Sequence, residues 1–158
     1  LEAIRTGEDL LLANGDVYWN VELLDLLCSV PDECLMLCDK TRAETGDYFF
    51  HLENGYITEY GKEMTPEKRD CEYVGITLIR SSFLPVFLAH LDQLIWQENY
   101  GMWWEDALYA ACESHPIRAL EVEGHFWSEI DYIEDYQRIL DHLGMGIDAR
   151  QMLRKARF

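Results

Sequence analysis

No stretch of this 158-residue chain is apolar for long enough to cross a bilayer; charges break the candidates, as in Trp19-Asn20-Val21-Glu22. A basic segment followed by an apolar one is also missing, so nothing marks a secretory signal. Basic charge is scarce: 13 Lys and Arg stand against 30 Asp and Glu, a net charge of −17. Phosphate backbones and anionic membranes repel such a surface, which argues against nucleic acid and membrane insertion. A small anionic substrate stays compatible, because a bound cation inverts the local field. The five cysteines are odd in number and form no Cys-x-x-Cys pair; Cys34 and Cys38 have no matching second pair for a metal. Sitting largely in apolar segments, they suit structural thiols in a reducing cytoplasm. Internal repeats and low-complexity linkers are lacking as well.

What is present is a core-forming composition, 49% hydrophobic and 13% aromatic. Leu10–Ala13 and Cys34–Cys38 read as strands buried on both faces. Asn20 is positioned to cap a helix with apolar residues at Val21, Leu23, Leu24, Leu26 and Leu27. Asp47–Glu53 and Tyr56–Tyr60 flank Asn54-Gly55, a strong hairpin signal. A polar loop over 61–70 leads to a β-branched strand, Cys71–Ile79. Ser81-Ser82 opens a helix, Trp103–Cys112 forms another, Ile117–Val122 a strand and Glu134–Leu143 a helix stopped by Gly144. A basic, helical tail follows within 146–158, after a unit spanning 1–145. The mixed order of strands and helices predicts an α/β sandwich built on a mixed sheet. Leu1–Arg5 reads as the end of a helix, the opening expected of a fragment, a processed chain or part of a domain.

Two groups of carboxylates stand out. Asp16 directly follows a buried strand, the edge where ligands bind in open α/β sheets; Asn-Gly-Asp is equally an ordinary turn. Glu129 and Asp131 are two residues apart. On an extended segment both point one way, with Ile130 directed into the core, and two close carboxylates repel unless a cation or proton lies between them. Hard oxygen donors at that spacing suit Mg²⁺. The alternative is that these acids begin the cap of the following helix, with Asp131 as the cap itself.

The segments LLLANGDVYW, GKEM, CEYVGITLI, WWEDAL and WSEIDYIEDYQRIL together resemble the second half of the phosphocholine and 2-aminoethylphosphonate cytidylyltransferases. The resemblance runs through nearly all of residues 5–143, and its most specific piece is Glu129-Ile130-Asp131 followed by Glu134-Asp135-Tyr136. It implies a nucleotidyltransferase sandwich of the GT-A, Rossmann-like kind and transfer of CMP from CTP to a small amine-bearing phosphate or phosphonate. It implies Mg²⁺ held by Asp16, Glu129 and Asp131, and a phosphate-facing lysine at Lys62. Trp103, Trp104 and Glu105 match a region near the acceptor's cationic nitrogen; Tyr18 and Tyr73 are further candidate pocket walls. A cation over an aromatic face gains roughly 0.5–2 kcal/mol. Core packing is the competing reading for the tryptophans, as it is for Tyr18 and Trp19. His125 is either a supporting group or an ordinary histidine.

The chain departs from that family in one respect. The Gly-rich, basic loop that grips the nucleotide phosphates has no counterpart; the glycines are scattered through turns. The expectation is a chain that lacks the N-terminal nucleotide-binding half and needs it as a covalent or non-covalent partner. Two other readings stay open: a non-catalytic acceptor-binding module, and a nucleotidyltransferase acting on a sugar or inositol phosphate.

Overall fold

The computed structural model describes residues 7–98 and 101–155. The helix end expected at Leu1–Arg5 and the last three residues of the tail lie outside them. In chain order the elements are β1 (Leu10–Ala13), β2 (Val17–Trp19), α1 (Glu22–Ser29), β3 (Cys34–Asp39), β4 (Phe49–Glu53), β5 (Tyr56–Gly61), β6 (Cys71–Ile79), α2 (Leu84–Trp96), α3 (Asp106–Tyr109), β7 (Arg118–Glu121), β8 (Trp127–Glu129), α4 (Ile133–His142) and α5 (Ala149–Lys155).

Six strands form a mixed sheet in the order β1-β6-β3-β7-β5-β4, with β4 also pairing back onto the start of β6. Only β3 and β7 run parallel. The side-chain period of two sorts the core. Cys34, Met36 and Cys38 of β3 face the layer holding α2 and α3, with Phe50, Phe87 and Leu108. Leu35 and Leu37 face the other side, with Leu23 and Leu27 of α1 and Val74, Ile76 and Leu78 of β6. All nine residues of β6 are buried, as its neighbours on both edges require. Three of the five cysteines, Cys34, Cys38 and Cys71, fill this core as free thiols, and burial pushes the Cys34 thiol far above its ordinary range. No helix among the described residues is long and apolar enough to cross a membrane.

Several expectations need correction. β1 is half-buried, because it pairs with β6 alone and forms an edge. Val21, not Asn20, stands at the start of α1 and is exposed; the Asn20 carboxamide lies 3.3 Å from His142 Nε2 instead. The helix expected over Trp103–Cys112 shrinks to α3, flanked by tight turns such as Asp106 N–H to Trp103 O and Ala111 N–H to Leu108 O. Asp131 caps nothing: Tyr132 occupies the cap of α4, and Asp135 accepts its backbone N–H at 2.9 Å. The sequence reading missed β2 and β8 altogether. They pair as a separate two-stranded ribbon, Val17 opposite Glu129 and Trp19 opposite Trp127.

One glycine fixes how the loop after β1 crosses the sheet. Gly75, mid-way along β6, has φ +82°, and an added Cβ would stand 3.0 Å from Asn14 Nδ2 and from Val17 Cγ2. The Asn14 N–H donates to Gly75 O at 2.9 Å across the same contact. Gly75→Ala is expected to cost roughly 1–2 kcal/mol from backbone conformation alone, and more from the clash. Urea denaturation reads this; a variant as stable as the parent would show that the loop yields freely.

Candidate active site

The ribbon explains why distant acids meet. Val17 pairs with Glu129, so Asp16 falls opposite Ile130, and the Ile130 N–H donates to Asp16 O at 2.9 Å. Asp16 is thereby flanked by Glu129 and Asp131. One carboxylate oxygen from each of the three lies within 4.8 Å of the other two. Ile130 is 40% exposed rather than turned into the core, because β8 ends at Glu129 and strict alternation stops there.

The cluster carries unrelieved repulsion. Burial, then Asp131 and Asp16, push the Glu129 carboxyl up to about 7. Three hard oxygen donors whose charges disfavour one another fit a divalent cation such as Mg²⁺. Glu129 binds a proton more tightly folded than unfolded, so its contribution to stability is present at low pH and is lost as pH rises from the ordinary 4.5 to about 7. In metal-free buffer Glu129→Gln is expected to flatten the decline in Tm across that interval. Parallel declines in parent and variant would remove Glu129 as its source.

Beside the cluster opens a cavity of about 520 Å³, whose lining includes Asp16 and Glu129 as well as Trp103, Trp104 and Glu105. Its acids are Asp16, Asp47, Glu72, Glu105, Asp106 and Glu129; Lys62 is the one basic residue among the described lining. Lys62 Nζ donates to Asp47 Oδ2 at 2.5 Å, and that bond, helped by the charges of Asp47, Glu129 and Asp131, holds the ammonium protonated beyond its ordinary range. The lysine is thus tied to the rim and still has N–H donors to offer.

Glu105 stands out among the lining residues. It is 6% exposed, and its Oε2 is buried without a hydrogen-bond partner. Burial raises its pKa, opposed by bonds from its own backbone and from Asn14. The Trp104 indole N–H donates to Asn14 Oδ1 at 3.3 Å, so Asn14 links Trp104 and Glu105 to the loop that carries Asp16. Trp103 is 77% exposed at the rim, where its backbone N–H donates to Asp106 Oδ2 at 2.6 Å.

Not every candidate reaches the cavity with a free polar group. Tyr73 lines it, but its hydroxyl is 2.8 Å from Thr77 Oγ1 and lies in the core. Tyr18 is outside the lining; it packs edge-on against Phe126, centroids 6.0 Å apart. Trp19 packs into the core face that holds α1. His125 borders a different cavity.

Sequence reasoning missed a wall of aromatic rings and three acids, Asp47, Glu72 and Asp106. Tyr48 and Tyr109 line the cavity and stack at 5.5 Å, with Tyr60 stacked 4.2 Å behind Tyr109. These rings come from β5, α3 and the approach to β4, so no local spacing announces them. Glu72 is 3% exposed within β6; its Oε1 accepts the Asp47 N–H at 2.8 Å and its Oε2 sits 2.8 Å from Arg42 Nε. A Cβ on Gly46 would stand 2.5 Å from the Glu72 carboxyl carbon, so Gly46 makes the space that this buried acid occupies. Asp47 and Glu72 looked like ordinary strand positions, and only pairing across the sheet brings them to Lys62.

No family model matches the chain. It is 24% identical over 155 residues to the CTP:phosphoglutamine cytidylyltransferase of Campylobacter jejuni subsp. jejuni serotype O:2, covering 87% of this chain and 61% of that protein. The chain therefore spans about three fifths of the length of that curated relative. Among solved structures, it superposes on the inositol-1-phosphate CTP transferase of T. maritima with a TM-score of 0.60 at 13% identity, covering 89% of this chain and 58% of that one. The CTP:phosphocholine cytidylyltransferase of Streptococcus pneumoniae gives a TM-score of 0.61 at 11% identity, with 84% and 57% covered. With the mixed sheet and its flanking helices, these likenesses identify the fold as that of the GT-A-like nucleotidyltransferases, present here in part.

Proposed function

We propose that this chain is the metal- and acceptor-binding part of a Mg²⁺-dependent cytidylyltransferase that transfers CMP from CTP to a small amine-bearing phosphate or phosphonate, such as phosphocholine or 2-aminoethylphosphonate, releasing pyrophosphate. The observation that carries this reading is a single cavity that joins two chemically distinct groups of side chains. Asp16 and Glu129, which converge with Asp131, line it, and so do Glu105, whose Oε2 has no partner, and the aromatic rings of Tyr48, Trp103, Trp104 and Tyr109. A zwitterion with a phosphoryl or phosphonyl group at one end and a cationic nitrogen at the other matches both.

In this reading Asp16, Glu129 and Asp131 hold Mg²⁺, which when bound would offset charge on the nucleotide phosphates. Lys62, oriented by Asp47, donates to the phosphate or phosphonate of the acceptor. Trp104 and Tyr48, the latter backed by Tyr109, supply π-faces to the cation, and Glu105 supplies its counter-charge. The acceptor oxygen, already anionic, attacks the α-phosphorus of CTP in line; the bond from that phosphorus to the bridging oxygen breaks and pyrophosphate leaves. Positioning dominates such chemistry, and no side chain has to remove a proton. CTP gripping falls to an N-terminal half of the same enzyme, acting as covalent or non-covalent partner. The half-buried β1, with one neighbour in the sheet, supports a docking edge there.

The acid-rich lining favours an acceptor whose cationic end bears no carboxylate, over an amino-acid head of the kind in phosphoglutamine. The aromatic wall favours it over a sugar or inositol phosphate, which a ring of amides and acids would suit better. Trp104→Ala is expected to raise the KM for the acceptor roughly 2–30-fold with the KM for CTP unchanged. Equal rises in both would make Trp104 a packing residue and remove the support for a cation site.

A further inference from the structure

A second cavity, of about 720 Å³, is lined by a different set of residues. In a chain of net charge −17 it gathers Arg42, Arg138, His125 and His142. Asp39 and Glu22 also border it and match the two arginines in formal charge, so what distinguishes the cavity is which polar groups are left with free hydrogen-bonding capacity. Asp39 is buried and already engaged: its Oδ1 accepts from the Thr41 N–H at 2.8 Å and the Thr41 hydroxyl at 2.6 Å, and its Oδ2 accepts from the Trp127 indole N–H at 2.8 Å. Glu22 is exposed at the start of α1.

The two arginines and the His142 ring are held in place by neighbouring side chains. The Arg42 guanidinium lies 4.6 Å over the Trp127 ring, and its Nε stands 2.8 Å from Glu72 Oε2. No acceptor among the described residues takes its terminal nitrogens. Arg138 donates one N–H to Ser128 Oγ at 2.6 Å and stands 3.6 Å from Asp135, leaving part of its five-donor fork open. The His142 ring stacks on Phe126 at 3.7 Å and 3°, which fixes its plane at the cavity wall. Rigid guanidinium forks and imidazoles held by stacking are the groups that bind phosphoryl oxygens in more than one direction at once.

We propose that this cavity is a second ligand site, taking the phosphoryl group of a small metabolite. It is separate from the acidic cavity but shares a wall with it. Glu72 faces the first cavity and its ion-pair partner Arg42 the second; Glu129 lines the first and Trp127, two residues earlier on β8, the second. An anion seated here draws on the same arginine that pairs with Glu72 and lies against the strand that presents Glu129. The site thus stands where it can report phosphate-bearing metabolites to the acidic cluster.

The test is a titration of metal-free protein with inorganic phosphate and, separately, with CMP, followed by NMR of the histidine rings. His125 and His142 are expected to shift together and saturably, while His90 and His115 stay still. Arg138→Gln is expected to weaken the binding about tenfold or more. The Arg138 side chain is 43% exposed, so the change spares the core. His142→Gln, at the exposed end of α4, is an independent second variant with His125 as the reporter. Equal affinity for the two probes assigns the site to the phosphoryl group alone; tighter CMP binding assigns it to a nucleotide. Overturning results are shifts that grow linearly as with sodium chloride, shifts shared by all histidines, or an affinity unchanged in both variants.

Discussion

Asp131→Ala in the complete enzyme is expected to lower metal-dependent turnover by at least about 10³-fold, which asks about 4 kcal/mol of the metal-held transition state. Asp131 is exposed, contributes no capping bond to α4, and has its backbone N–H near Asp135 whatever its side chain. The variant should therefore fold like the parent. A ligand that binds only the folded state raises its melting temperature, so Mg²⁺ should stabilise the parent and leave the variant unmoved. Turnover and Tm then report the same cluster by independent routes. Turnover that survives the substitution would remove Asp131 from the site; a lost Mg²⁺ shift with retained turnover would separate the metal from the chemistry.

The second large effect belongs to Glu105, and it runs in opposite directions for stability and function. A buried carboxylate oxygen with no partner is a liability to the free protein. Its pKa is raised in the folded state, chiefly by burial, so the stability tied to its protonated form is lost as pH rises above the ordinary 4.5. Glu105→Gln removes the charge while keeping the shape. It is expected to raise Tm at neutral pH and to raise the acceptor KM about 30–100-fold, the consequence of leaving a desolvated ammonium unpaired at about 2–3 kcal/mol. Thermal melts and acceptor-dependent initial rates check both halves. A variant that is less stable, with an unaltered KM, would make Glu105 a structural acid whose partner lies elsewhere.

That pattern, strain at a site where a ligand resolves it, is what sequence alone could only half disclose. The core strands were legible because burial leaves a local mark. Cys34–Cys38 is apolar throughout, Cys71–Ile79 is apolar or β-branched apart from Glu72 and Gly75, and Asn54-Gly55 adopts the positive φ angles, 54° and 86°, that its hairpin demands. The acids at 16, 129 and 131 were legible as candidates because they end or follow extended segments. Their meeting was implied by the family resemblance alone; the local pattern did not carry it, because it depends on the β2–β8 ribbon, whose three-residue strands are too short to show alternation. Ile130 was misplaced for the same reason. Trp103-Trp104-Glu105 was legible as a candidate cation-binding segment and does line the cavity, yet the stacked tyrosines beside it come from separate parts of the chain and leave no spacing to find. Tyr18 shows the converse: two residues after Asp16, it packs against Phe126 and lies outside the cavity lining, because Asp16 sits in the turn before β2 and not on the strand itself.

The measurement that tests the central claim most directly is Mg²⁺-dependent release of pyrophosphate from CTP. It would use the longest native polypeptide that contains this chain, with phosphocholine, phosphoethanolamine, 2-aminoethylphosphonate, phosphoglutamine and inositol phosphate offered in turn. Release with one of the first three, abolished by chelating the metal, is the predicted result. Release only with phosphoglutamine or inositol phosphate would contradict the acceptor class, and no release with any of them, in a preparation that binds CTP, would contradict cytidylyl transfer and leave an acceptor-binding module.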